Sequence, residues 1–502
     1  MTRVKKRDEN KENEGFEIVI PNIDVIKTVK LTKRTKILTL DCPSGKEQVV
    51  YDLRDIKETY PNVTTLKIKK GIINIHILNR TFPNIRTVKS ESDWFANNEK
   101  ILIRIDFSCI KKGGEKKGCL LNTFCLEPGE ILDLKKVCSI YNMAFDGCET
   151  SSINNADYIE DIYAGAFTGS YFNSPEMHAG DGPIMLGNCL IGFKDKTESF
   201  ELTQFVKTVA LAENFGKNMI QKLIVSDYHL LEVLWTVGDD NKICDTLVIN
   251  DRSDFSDSIS GKFCMNANHV EVTSKNKYLK SENDMIYGIE DHKLYTSAWF
   301  LSGDVVIPKE VTSFGDDAFP SENITSIEIH PDVCECSSKA FVNPVALALI
   351  KCHDNKLPAG LIYSLTYTKQ HYYKDRNAVI EVVSDDAHFF IPRHITNITK
   401  FAELCSTDMS QIKENYMYAG SAEAKQDIMV KTYAFSQDDK LIEDTLKREG
   451  KVIALRYIKE NHEDDAILLV NSKLLDKNAL TAIKKDASKS GMEKLVSAIN
   501  SL

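Results

Sequence analysis

Val305-Val306-Ile307-Pro308-Lys309-Glu310-Val311-Thr312-Ser313-Phe314-Gly315-Asp316-Asp317-Ala318-Phe319 decides the fold of this chain, because its parts return elsewhere at a fixed step. Ala318-Phe319 recurs as Ala340-Phe341, 22 residues on. Ile140-Tyr141-Asn142-Met143-Ala144-Phe145 recurs as Ile162-Tyr163-Ala164-Gly165-Ala166-Phe167 at the same interval, and so does Tyr60-Pro61-Asn62-Val63 as Phe82-Pro83-Asn84-Ile85. Three separate pairs at one period are the signature of stacked repeats. Ile307-Pro308-Lys309-Glu310-Val311-Thr312-Ser313-Phe314 is echoed once more by Ile391-Pro392-Arg393-His394-Ile395-Thr396-Asn397-Ile398.

Short alternating segments accompany the repeat: Leu223-Ile224-Val225, Leu247-Val248-Ile249 and Val270-Glu271-Val272, at steps of 24 and 23 residues. Residues i and i+2 share one face of a strand. A coil of this length cannot bury its apolar side alone. Stacking coils sets each strand about 4.8 Å from the next and fills one continuous core. The Ala-Phe pair fits a tight return turn, with Phe plugging the coil interior. Pro308 and Pro392 fall at strand ends, where a missing amide donor is tolerable.

The 305–319 stretch resembles the BspA-type leucine-rich repeat, whose usual form is a strand, Ile-Pro, two residues, Val-Thr-Ser-Ile-Gly, two residues and Ala-Phe. Tyr287-Gly288-Ile289-Glu290-Asp291-His292-Lys293-Leu294-Tyr295 and Gly187-Asn188-Cys189-Leu190-Ile191-Gly192-Phe193-Lys194 resemble that family's irregular coil. Cys148 takes the place of its buried Cys. The match is good at 131–170 and 285–345 and looser at 38–110 and 345–410. Phe314 departs from the usual Ile, and Cys334-Glu335-Cys336 breaks the Thr-Ser-Ile pattern. The expected fold is an α/β repeat: a leucine-rich-repeat solenoid of roughly a dozen coils or more, with short parallel strands on one face and an α-helical C-terminal cap.

Four segments follow. Residues 1–15 read as a disordered charged tail, 16–410 as the solenoid, 171–215 as an insertion within it, and 411–502 as a helical cap or small helical domain. In the last segment Asp476 is placed to cap a helix carrying Leu480 and Ile483. Ser490-Gly491 breaks it, and Leu495 and Ile499 continue on a second helix.

With 42% hydrophobic and 27% charged residues the composition is that of a folded protein, and a net charge of −10 argues against generic nucleic-acid binding. The basic start lacks the apolar run of a secretory signal, and no stretch approaches the roughly 18 apolar residues of a membrane span. A cytoplasmic location is expected for the chain as written, or the cell surface if a leader has been removed. Thirteen irregularly spaced cysteines then read as free thiols. Triplets of the glycosylation type begin at Asn62, Asn79, Asn323 and Asn397, and in such a protein they stay unmodified.

Three clusters invite chemistry. His330, Cys334 and Cys336 have metal-ligand residue types but lack the paired cysteine spacing of structural zinc, and they read as repeat residues. Cys109, Cys119 and Cys125 flank Lys111-Lys112-Gly113-Gly114-Glu115-Lys116-Lys117-Gly118, which reads as a solvated hairpin tip. His178-Ala179-Gly180-Asp181-Gly182-Pro183 has a His and an Asp but no identifiable nucleophile, and reads as a structural turn. No catalytic residue, cofactor or metal is expected.

The expected function is a monomeric, non-enzymatic scaffold that holds a protein or peptide on its strand face, without nucleic acid or membrane insertion. The alternatives are a surface adhesin and a hydrolase using 171–215. Leu66 and Ile68, Leu223 and Val225, Leu247 and Ile249, Val270 and Val272, and Ile327 and Ile329 should point inward. The candidate binding residues are then Lys67, Lys222, Ile224, Thr246, Val248, Asn250, His269, Glu271 and Glu328. Ile224 and Val248 should place two aliphatic side chains in water.

Overall fold

A computed structural model describes residues 23–106, 117–210, 219–234, 242–259, 267–367 and 379–502. The expected tail at 1–15 and the hairpin tip at 111–116 lie outside these residues. Parallel strands wind into about 13 solenoid turns, followed by helices. The chain divides into two compact units, 1–197 with 204–218, and 198–203 with 219–502.

The 22-residue step is a physical stack. Phe145 and Phe167 have ring centroids 5.0 Å apart, Phe319 and Phe341 4.5 Å, and Tyr60 and Phe82 5.9 Å. Polar side chains bridge the same step: Asn142 donates to the Ala164 carbonyl at 2.5 Å, Asn155 to Asp133 at 2.7 Å, and Ser326 to Asp304 at 2.6 Å. The residue before three of the Ala-Phe pairs is left-handed, with φ of 55° at Met143, 71° at Gly165 and 55° at Asp317. This reversal swings the following Ala and Phe into the coil, where Ala144, Phe145, Ala318 and Phe319 are fully buried.

In the first unit, Ile37–Leu40, Thr65–Ile68 and Thr87–Ser90 form one parallel sheet, and Ile23–Ile26, Gln48–Asp52 and Ile72–His76 another. A second group, Gly118–Asn122, Val137–Ile140 and Asp161–Ile162, opens on an antiparallel partner, Leu102–Ile105. The stretch expected as an insertion is built of repeat elements as far as it is described. Pro183–Leu186 and Cys189–Phe193 form an antiparallel hairpin about Gly187-Asn188, and Cys189–Phe193 then pairs in parallel with Thr208–Val209. Gly187 has φ of 55°, and a Cβ there would come within 2.5 Å of the Ala156 backbone. The resemblance marked this segment as an irregular coil, and the hairpin is that irregularity. Residues 211–215 lie outside the described residues.

In the second unit, Ser199–Leu202, Ile220–Val225, Cys244–Ile249 and Ala267–Val272 form a four-stranded parallel sheet. The other irregular coil is a meander, Leu279–Glu282, Met285–Gly288 and Lys293–Ser297, which leads in parallel into Ser313–Phe314 and Glu335–Cys336. Ser302–Val306, Asn323–Ile329, Leu349–Cys352 and Val379–Val383 make the next parallel sheet.

The Ile391-Pro392 echo does not open a further coil. His388–Pro392 pairs antiparallel with Val379–Val383, because only Ser384 to Ala387 separate them and a parallel return needs about a dozen residues. The apolar end is closed by Ile398–Thr407, whose Phe401, Ala402 and Cys405 join the solenoid core. This closure falls before residue 411. The later helices, Ala422–Phe435, Lys440–Lys459, Glu463–Asn471, Lys477–Lys489 and Glu493–Asn500, have their own core. Asp476 caps Lys477–Lys489 through the Ala479 amide at 2.7 Å, and Ser490-Gly491 separates it from the last helix. Ile380 and Val382 face the solenoid core, whereas Val379 and Phe390 join the helical core. The helices therefore lie on the outer face of the last strands.

Candidate functional site

The strand phase matches the alternation. Leu66, Ile68, Leu223, Val225, Leu247, Ile249, Val270, Val272, Ile327 and Ile329 are all buried. Their neighbours form outward rows. In the second unit one row runs Ser199, Lys222, Thr246, His269, and the next runs Glu201, Ile224, Val248, Glu271.

Lys222, His269 and Glu271 are exposed, and Thr246, Ile224 and Asn250 half-buried. Val248 corrects the expectation: it is only 7% exposed. It sits on an inner strand with Ile224 on one side and Glu271 on the other, and these shield a side chain as short as valine. Asn250 belongs to a polar ladder across four coils. Ser226 donates to Glu201 at 2.7 Å, Asn250 to Ser226 at 3.4 Å, and Thr273 to Asn250 at 3.1 Å.

Glu328 lies on the following sheet, between Asp304-side and Lys351-side strands, with His353 Nε2 2.8 Å from its carboxylate. Lys67 belongs to the first unit, half-buried between Thr39 and Lys89 on Thr65–Ile68.

Sequence reasoning missed the hairpin that closes this surface. Asn283 and Asp284, with φ of 52° and 60°, turn the chain between Leu279–Glu282 and Met285–Gly288. An Asn-Asp dipeptide between two alternating segments was the available signal. The turn covers the edge of Ala267–Val272: the Val270 amide donates to Asp284 at 3.2 Å and the Val272 amide to Ser281 at 2.8 Å. Edge amides satisfied in this way no longer template a further strand.

His269 Nδ1 stands 2.9 Å from the Asp284 carboxylate, a contact that raises the imidazole pKa above its ordinary 6.5. Thr246, His269, Glu271, Glu282 and Asp284 line a shallow depression of about 300 Å³. Three carboxylates against one imidazole give it an acidic character.

The other clusters are structural in their contacts. His330 Nε2 lies 3.0 Å from the Pro308 carbonyl one coil away, Cys334 is exposed, and Cys336 is buried with its thiol pKa pushed far up by desolvation. His178 Nε2 lies 2.9 Å from the Phe172 carbonyl, and backbone bonds stitch 178–182 to 194–196. Among the described residues no group of three or more His, Cys, Asp or Glu side chains is arranged to hold a metal ion, and no helix is long and apolar enough to cross a membrane.

Residues 122–189 and 295–362 match the family model described as BspA type leucine rich repeat region, in six copies. These two stretches are BspA-type leucine-rich repeats. A solved leucine-rich cell surface protein from Faecalibacterium prausnitzii A2-165 is 14% identical, with a TM-score of 0.19, covering 64% of this chain and 60% of that one. A leucine-rich repeat protein from Eubacterium ventriosum ATCC 27560 is also 14% identical, with a TM-score of 0.16, covering 61% of this chain and 65% of that one. The chain thus spans under two thirds of the length of each. No curated protein matches it.

Proposed function

We propose that this protein is a non-enzymatic interaction scaffold whose second-unit strand face receives a basic, partly apolar segment of a partner protein. The observation that carries the reading is the row Glu201, Ile224, Val248, Glu271, in which an aliphatic centre is bracketed by carboxylates. The acidic depression at Glu271, Glu282 and Asp284 adjoins it. Half-buried Ile224, backed by buried Val248, supplies one apolar contact, and the surrounding carboxylates steer a cationic partner and set its register. The solenoid core lies beneath, so outward residues define recognition without disturbing the fold.

Selection of a displayed random peptide library on the immobilised protein tests this. Binders should be rich in Lys and Arg around one apolar side chain and should weaken as salt rises. Acidic binders, or equal retention on a Glu271→Lys, Glu282→Lys variant, would reject the reading.

A further inference from the structure

The first unit contains a second, unrelated opening. Where the strand Ile72–His76 gives way to the antiparallel pair Leu102–Ile105 and Gly118–Asn122, the regular stacking is interrupted and a cleft of about 230 Å³ remains. Its lining includes the apolar side chains of Leu78, Tyr141 and Met143, respectively 37, 36 and 39% exposed. It also includes flat hydrogen-bonding groups, from Arg54, His76 and Asn142.

These polar groups are held in place. Arg54 makes a two-pronged contact with Asp52, Nε at 2.8 Å and Nη2 at 2.7 Å. His76 Nε2 lies 3.0 Å from Asn74, and Asn142 is fixed by its bond to the Ala164 carbonyl. Beneath them Asn79, 2% exposed, donates to the carbonyls of Ala144 at 3.0 Å and Asp146 at 2.7 Å. Those bonds fix its amide orientation, yet its buried Oδ1 has no hydrogen-bond partner. A buried acceptor left unsatisfied is costly, and it marks the floor of the cleft as a strained polar position held by its backbone bonds.

Charge decides the class of ligand. Asp52 neutralises Arg54, and Arg80 holds Asp146 at 3.0 Å. Burial, with Arg54 nearby, depresses the His76 pKa, so its imidazole is neutral near pH 7. Of the residues that line the cleft, the guanidinium of Arg54 is thus already paired with a carboxylate, and the lining carboxylate of Asp146 is paired with Arg80. A partly exposed aromatic ring sharing one cleft with planar donors and acceptors suits a ring with one C–H face and a rim of hydroxyls. We propose that this cleft binds a neutral sugar ring, seated on Tyr141 with its hydroxyls toward Arg54, His76 and Asn142. The volume, below the roughly 300–1,000 Å³ of drug-sized pockets, limits the site to about one ring.

Saturation-transfer NMR on the intact protein tests this, using the free sugars and methyl glycosides of glucose, galactose, mannose and N-acetylglucosamine, with glucuronate as the anionic control. At least one neutral sugar should show saturable binding in the millimolar range, strongest at the protons of one ring face. Tyr141→Ala should abolish it and Tyr141→Phe should keep it, with both variants melting like the parent because Tyr141 is partly exposed. Binding of the methyl glycoside would indicate a glycan residue as the source, and binding of the free sugar alone a soluble sugar. Absence of saturable neutral-sugar binding, preference for glucuronate, or full binding by Tyr141→Ala would overturn the proposal.

Discussion

Phe319 and Phe341 lie one coil apart with ring centroids 4.5 Å from each other and planes only 18° from parallel, and a backbone bridge joins the same two residues. The sequence period is thereby converted into a column of aromatic rings inside the solenoid. Phe319→Asp would bury a charge with no partner in that column and should cost about 3 kcal/mol or more. Chemical denaturation checks this; parental stability would mean that Phe319 is not a core position.

The helical segment has its own keystone. Asp427, 5% exposed, accepts bonds from Arg456 at 2.5 Å and the Tyr457 hydroxyl at 2.8 Å. Removing the carboxylate leaves a largely buried guanidinium with only the more exposed Glu460 carboxylate, 3.0 Å away, as its counter-ion, so Asp427→Ala should destabilise the helices by roughly 1–3 kcal/mol. The melting transition of the helices, followed by circular dichroism, measures it.

His269 and Asp284 predict a pH dependence. The carboxylate raises the imidazole pKa, so the folded state binds this proton more tightly than the unfolded one. The pair's contribution is complete below about pH 6.5 and fades as pH rises through the raised value. Both side chains are partly exposed, so the effect on stability should stay below about 1 kcal/mol. An NMR titration of His269 should give a pKa above 6.5, which falls on Asp284→Asn.

No two of the eleven described cysteines are joined to each other, and eight of them are buried. Desolvation pushes the Cys244 thiol up to about 12 and the Cys125 and Cys189 thiols up to about 11. Thiol titration of the denatured, unreduced protein should count thirteen, whereas among the described thiols of the native protein exposed Cys334 should react fastest.

The repeat was legible because stacking demands it at every turn: the Ala-Phe pairs and the i, i+2 aliphatic pairs report burial directly. What stayed hidden depends on contacts between segments the period does not relate. The Asp284 turn reaches Val270 from outside the coil, and Val379 and Phe390 face helices that follow much later. Val248 was misjudged because alternation gives direction and not cover. The Tyr141 cleft arises where stacking is interrupted, and a period cannot mark its own interruption.

Photo-crosslinking tests the central claim most directly. A photoreactive residue is placed at position 222 on the acidic strand face, and in a second sample at exposed position 339 outside it. With a basic partner obtained by peptide selection, position 222 should crosslink strongly, position 339 should not, and Ile224→Ser with Glu271→Lys should abolish the product while the fold persists. Equal crosslinking from both positions, or a product at 222 that survives the double substitution, would contradict the assignment of this face as the binding surface.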